Sequence, residues 1–342
     1  MKKALFIIIP ILFTAQSCNF LFGDLSGQEG SGPRGIYLSV DGGQSFEAIG
    51  QVGKDKNLSA AQVLNIFIEP GSSQNLLAAT FNAGVYASEN QGQNWVLLLP
   101  NFGAYAAFIN PGNNQEIYAA GNRNKFPTIL KSPDRGGTWV DIYSQPTAQG
   151  SVTALVSDRR NTAILYAGLT SGTVIKSLDG GQTWNALTDF DDRVQELGFS
   201  SDGRTLFALG RSSGLKKSED AGKTWTDLVF PEKPGSYNDL AVDYQSSGTL
   251  YLATDEGLLV SFDLGANWSK LSLPATPEVN VPSAVAVNPK NNRQIFAAVR
   301  STIYRSDDRG TTWRTESLRT NRVVSRIAID PTEPNRIYVG LK

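Results

Sequence analysis

The chain has 342 residues, a formal net charge of −1, no histidine and one cysteine, with 40% hydrophobic residues. A near-neutral balance gives no electrostatic footprint for nucleic acid, and the missing histidines remove the usual general base, the usual zinc ligand and any Ser-His or Cys-His nucleophile pair. No metal or cofactor is expected. The length fits either two ordinary domains or one closed array of repeats.

At the N-terminus Lys2 and Lys3 precede an apolar run from Ala4 to Thr14, too short to span a bilayer, which takes about 20 apolar residues. Ala15-Gln16-Ser17-Cys18 resembles the lipobox of bacterial lipoproteins. That resemblance implies a signal peptide over 1–18, with Cys18 lipidated as the first residue after cleavage. The other reading is an ordinary cleaved signal with an incidental cysteine. Both place the protein in the cell envelope, on the extracytoplasmic face of a bacterial membrane. The stretch 19–34 turns rich in Gly and Ser in its second half and reads as a flexible tether.

From residue 35 onward the pattern is strands and turns. One box, Ser306-Asp307-Asp308-Arg309-Gly310-Thr311-Thr312-Trp313 in its last copy, occurs seven times, the others beginning at Ser39, Ser88, Ser132, Ser177, Ser218 and Ser261. Before each later box come an apolar strand ending in a polar or Pro turn (Ile66-Phe67-Ile68-Glu69-Pro70) and a second strand with an aromatic near its start (Leu165-Tyr166-Ala167-Gly168). A third strand enters the box and a fourth leaves from its Trp. A period in the forties with one hairpin signature per period predicts an all-β, seven-bladed β-propeller of four-stranded antiparallel blades over 35–342. The first box has only a third strand before it, while the C-terminus carries a first and second strand with no box after them. Chain ends that complete one blade close the ring and remove exposed edges, so a monomer is expected.

Within the box, Asp accepts hydrogen bonds from turn N–H groups and hydroxyls, Gly suits a left-handed backbone, and Trp (Phe46 in the first copy) anchors the hairpin. The second copy has Asn90 for the Asp, and Asn267 replaces the Thr of the sixth. This pattern resembles the Asp-box, or BNR, repeats of sialidases, sortilin-type receptors, xyloglucan-cleaving glycosidases and photosystem II assembly factors. The resemblance implies that the boxes lie remote from the binding face and that Asp41, Asp134, Asp179, Asp220, Asp263 and Asp308 are structural. A sialidase-type arginine motif and a second propeller, as in the xyloglucan enzymes, are both missing from the sequence.

The opposite face is then built from links between second and third strands and between blades, including Gly121 to Phe126 and Lys54 to Ala61. The residue before each first-strand apolar triplet falls near the mouth of the central channel: Asn65, Ala106, Ala154, Glu196, Asp239, Ala284 and Arg326. Glu196 and Asp239 are candidates for paired-carboxylate chemistry on a glycoside, with the loop acids Asp191, Asp192 and Asp255 beside them. Arg326, Asn65, Arg211, Arg300, Arg322, Phe126, Phe190 and Tyr237 are candidates for binding. The expectation is a lipid-anchored, non-catalytic scaffold for an envelope protein or glycan partner, without nucleic acid. A glycoside hydrolase is the alternative.

Overall fold

The computed structural model describes residues 35–52, 56–58, 61–81, 83–146, 149–274 and 281–342. The signal segment, Cys18 and the tether lie outside the described residues.

Seven antiparallel blades form a closed ring. Blade 1 has strands Val63–Ile68, Leu76–Thr80, Gly84–Ser88 and Asn94–Leu99, and blade 2 has Gly103–Ile109, Ile117–Arg123, Phe126–Ser132 and Val140–Ser144. Blades 3 to 6 begin with Val152–Ser157, Val194–Phe199, Tyr237–Val242 and Pro282–Val287. Blade 7 is shared between the two ends of the described chain: Val324–Ile329 and Ile337–Leu341 pair with Ile36–Ser39 and Glu47–Ile49. Its register runs Ile36↔Gly340 to Ser39↔Ile337. The predicted architecture and closure are both present.

Two links differ from expectation. In blade 2 most of Gly121 to Phe126 is strand, and the turn shrinks to Asn124-Lys125, both at positive φ (52° and 70°). Adjacent left-handed residues make a tight hairpin turn whose twist matches the strands, so the ladder extends into what reads as loop. Between blades 7 and 1, Gln51–Val52 pairs in parallel with the start of Asn94–Leu99, and Lys56–Asn57 pairs with Gln51–Val52. This link therefore covers part of the outer edge of blade 1.

The boxes work as local fasteners. In the last copy the Ser306 hydroxyl donates to Asp308 Oδ1 at 2.8 Å and accepts from the Gly310 N–H at 2.7 Å. Asp308 accepts the Thr312 N–H at 2.8 Å and the Thr312 hydroxyl at 2.6 Å. Trp313 Nε1 donates back to the Gly310 carbonyl at 3.1 Å. The residue before the glycine is also left-handed in every copy, five times a non-glycine such as Arg309 at φ 60°. The Asp side chain holds the turn in that conformation against its intrinsic cost. The second copy shows what the motif tolerates: Asn90 Oδ1 still accepts from Ser88 and from the Asn94 N–H, at 3.0 and 2.9 Å.

The box also joins blades. A Cβ on Gly181, Gly222 or Gly265 would lie 2.4–2.5 Å from Ile142, Leu187 or Leu228, the fourth-strand or edge side chain that the preceding blade packs onto that glycine. From second strands, the hydroxyls of Tyr118, Tyr166 and Tyr338 donate to the carbonyls of Gly180, Ala221 and Gln91 in the next blade's box, at 3.0–3.3 Å. Each such bond is worth roughly 1 kcal/mol net. The second-strand alanines Ala119, Ala167, Ala208, Ala253 and Ala297 are fully or almost fully buried, consistent with close stacking of sheets.

These contacts predict an acid-side stability profile. Hydrogen bonds from the Thr or Asn side chain and backbone hold Asp179, Asp220, Asp263 and Asp308 at about 2, against an ordinary 3.8. A carboxyl depressed in the folded state contributes stability that is complete above its unfolded pKa and is lost as pH falls through the folded one. The melting temperature is therefore expected to show no box-derived loss above pH about 4 and to drop as pH is lowered toward 2. Calorimetry over that range checks it, and replacing the four by Asn, as at position 90, should flatten the drop.

Candidate functional site

Every first strand carries a β-bulge at the same level. The register shifts between Val63 and Asn65, Val152 and Ala154, Val194 and Glu196, Tyr237 and Asp239, Pro282 and Ala284, and Val324 and Arg326. In blade 2 the matching shift brings Ala104 and Ala106 opposite Gly121 and Ala120. The residues read from the sequence as lining the channel mouth are thus those that follow each bulge. Bulges re-aim side chains, and six of these seven residues, all but Ala284, line the central cavity.

The skipped residues carry a second ring of contacts that the sequence reading missed. Thr153 donates to the Val194 carbonyl, Gln195 to Tyr237, Asn238 to Pro282, Ser283 to Val324 and Ser325 to Val63, each crossing to the next blade. A polar residue one position before the channel residue was the available signal. Leu64 and Tyr105 hold this position in blades 1 and 2, and among the described residues neither side chain makes the stitch.

The bulges surround a cavity of about 800 Å³ on the face opposite the boxes. Its floor holds an ion triad that joins three blades. Arg326 Nη1 of blade 7 donates to Glu196 Oε1 of blade 4 and to Asp239 Oδ1 of blade 5, both at 2.9 Å. The other carboxylate oxygens accept backbone N–H groups one blade on, Glu196 from Leu240 at 3.1 Å and Asp239 from Val285 at 2.8 Å. Burial pushes the Asp239 carboxyl well above its ordinary value despite the opposing Arg326 charge, and the neighbouring Glu196 adds to the rise. Burial alone would lower the Arg326 pKa, but the two carboxylates outweigh it and hold the guanidinium charged. The two acids are close enough for paired-carboxylate chemistry, yet one guanidinium lies between them and uses an oxygen of each.

Asn65 and the cations Arg193, Arg211, Arg300 and Lys342 also line the cavity, with Phe81 and Tyr105 on the blade 1 and 2 side. Arg211 Nη1 donates to the amide oxygen of Asn238 at 2.9 Å. Arg193 lies over the Tyr105 ring, 5.5 Å from its centroid. Arg193 and Lys342 had not been singled out, because their loop and terminal positions converge only when the ring closes.

The remaining candidates lie elsewhere. Asp192 accepts the N–H groups of Ser212 and Ser213, and Asp255 accepts that of Gly235, so both brace neighbouring turns. Asp191, Arg322 and Phe126 are not among the cavity's lining residues. Phe190 and Tyr237 are core residues, 9% and 1% exposed. Phe190 packs edge-on against Trp225 and Tyr237 packs against Phe230, so neither ring is presented to a ligand. Burial raises the Tyr237 hydroxyl to about 12.

Comparison with known proteins gives the same architecture. A family described as BNR-Asp box repeat matches residues 303–317. The chain is 25% identical over 248 residues to a xyloglucanase of Hypocrea jecorina, covering 59% of this chain and 30% of that protein. It is 30% identical over 146 residues to the photosystem II assembly lipoprotein Ycf48 of Prochlorococcus marinus, 41% of this chain and 42% of that one. Among solved structures, YCF48 bound to D1 peptide aligns with a TM-score of 0.65 at 17% identity, over 86% of this chain and 98% of that one. The chain spans less than a third of the xyloglucanase and under half of the assembly lipoprotein. The fold is a seven-bladed Asp-box propeller related both to hydrolases and to assembly scaffolds.

Proposed function

We propose that the protein is a non-catalytic binding and assembly propeller, held by a lipid on Cys18 at the extracytoplasmic face of a bacterial membrane. Its partner is a protein or glycan of the envelope, engaged at the channel mouth. The observation that carries this reading is the state of the two central acids: both are tied to Arg326, while other cations line the same open cavity without carboxylate partners. A hydrolase of the paired-carboxylate kind needs one acid free to give a proton and the other free to attack or to activate water. The likeness to a photosystem II assembly lipoprotein supports the scaffold role, and the likeness to xyloglucanases names the activity to test against it.

The test is in vivo cross-linking of the tethered protein followed by identification of the captured component, with hydrolysis of xyloglucan oligosaccharides measured in parallel. Specific capture with no turnover is the expected result, and turnover abolished by Glu196→Gln or Asp239→Asn would overturn it. For the anchor, Cys18→Ser is expected to move the protein to the soluble fraction, and unchanged membrane retention would refute lipidation.

A further inference from the structure

The triad leaves the rim of the cavity with an unbalanced charge. Arg193, Arg211 and Lys342 all line it, and none of the ion pairs formed by the described residues includes them. Arg193 enters blade 4 and Arg211 follows its second strand, the Arg211 N–H donating to the Arg193 carbonyl at 3.3 Å, while Lys342 follows the closing strand of blade 7. They are near enough for their fields to overlap: partial desolvation, then Arg211 and Arg193, hold the Lys342 amine below its ordinary value. Asp239 acts on Lys342 in the opposite sense but more weakly than either arginine. Like charges gathered with too little counter-charge cost free energy in the unliganded protein, and an anion placed among them recovers that cost.

The individual environments point the same way. Arg193 Nε is buried and unpaired, although a guanidinium has five donors to satisfy. Arg211 is held only through the neutral amide of Asn238, which orients the fork without neutralising it. The internal acids cannot serve, because Arg326 and backbone N–H groups already occupy them.

The other walls narrow the chemistry. The Tyr105 ring is covered by Arg193 and meets Phe81 edge-on at 5.8 Å, so it offers no open face for stacking a sugar ring. Phe81 is 43% exposed at the rim and offers contact to an apolar side chain. Asn65 lines the same cavity with an amide that suits a peptide backbone.

We propose that Arg193, Arg211 and Lys342 form an anion-binding subsite at the channel mouth that takes an acidic polypeptide segment, its carboxylates on the three cations and an adjacent apolar side chain against Phe81. This rests on the binding-scaffold reading and names the partner's chemistry.

The test is fluorescence anisotropy with a short fluorescein-labelled peptide of glutamates flanking one phenylalanine. The full chain is compared with a triple variant, Arg193→Gln, Arg211→Gln and Lys342→Gln. A second triple variant, Arg159→Gln, Arg204→Gln and Arg314→Gln, removes the same charge from outside the cavity. The cavity variant is expected to raise Kd by at least about tenfold, the loss of one or two charge-assisted hydrogen bonds, and the control to leave it within about twofold. Equal weakening in both, or in neither, would overturn the site. Stronger binding of oligogalacturonate than of peptide, or displacement of the peptide by equimolar inorganic phosphate, would overturn the polypeptide assignment. If the triple variant melts early, Arg211→Gln alone, at an exposed position, still has to weaken binding. A partner captured equally well by wild type and cavity variant would sink this site while leaving the scaffold role intact. Failure of both to capture any partner would sink the role itself.

Discussion

Replacing Arg326 by methionine is expected to lower the free energy of unfolding by about 3 kcal/mol or more, read as a fall in the urea midpoint at unchanged slope. The magnitude follows from what remains behind. Asp239 is 4% exposed, and its carboxylate would keep one backbone donor and lose the cation it is paired with, with the Glu196 charge still beside it. Breaking a buried ion pair from one side costs more than the pair contributes, because a desolvated charge is stranded. The triple replacement Arg326→Met, Glu196→Gln, Asp239→Asn should recover most of the loss. The pH dependence has a definite sign. An acid whose folded pKa is raised contributes stability below its unfolded pKa and loses it as pH rises through the folded one. The variant's deficit relative to wild type should therefore shrink as pH falls to about 4 and Asp239 takes a proton, while the box aspartates contribute equally to both proteins and cancel. A deficit that is the same at pH 4 and pH 8 would refute the triad as the cause.

The second large effect is expected at Gly172, in the turn just before the third strand of blade 3, Thr173–Ser177. Its φ is +97°, and a Cβ there would sit 1.9 Å from the Phe190 carbonyl oxygen. That oxygen belongs to backbone just after the blade's fourth strand, Asn185–Asp189, so no side-chain rotation relieves the contact. Gly172→Ala is expected to cost about 3 kcal/mol or more, beyond the 1–3 kcal/mol of a strained backbone alone, because the link into blade 4 must move. Gly198→Ala is the control: nothing lies within 4 Å of its Cβ position, and its φ is not left-handed. Thermal melts of the two variants side by side decide it.

Much of the fold was legible because its determinants are local. Ser306, Asp308, Gly310, Thr312 and Trp313 fold upon one another within eight residues, and seven such units at one spacing leave little choice of architecture. The channel register was legible for a related reason. A first strand ends in a recognisable turn, so counting back from it reaches Asn65, Glu196, Asp239 and Arg326 whether or not the bulge is foreseen. Phe190 and Tyr237 could not be placed in this way. An aromatic at a blade link packs inward or outward according to the neighbouring blade, and Trp225 and Phe230 take these two into the core.

The repeat by itself determined the number of blades, the closure through Ile36–Ser39 and Ile337–Leu341, and the structural duty of the box aspartates, since each depends on contacts within a blade or on simple counting. The pairing of Glu196 and Asp239 with Arg326, and the gathering of Arg193, Arg211 and Lys342, depended on the closed ring. Those residues lie up to 149 positions apart between Arg193 and Lys342. They meet because seven bulged strands converge on one axis, and an electrostatic balance among them exists only at those distances.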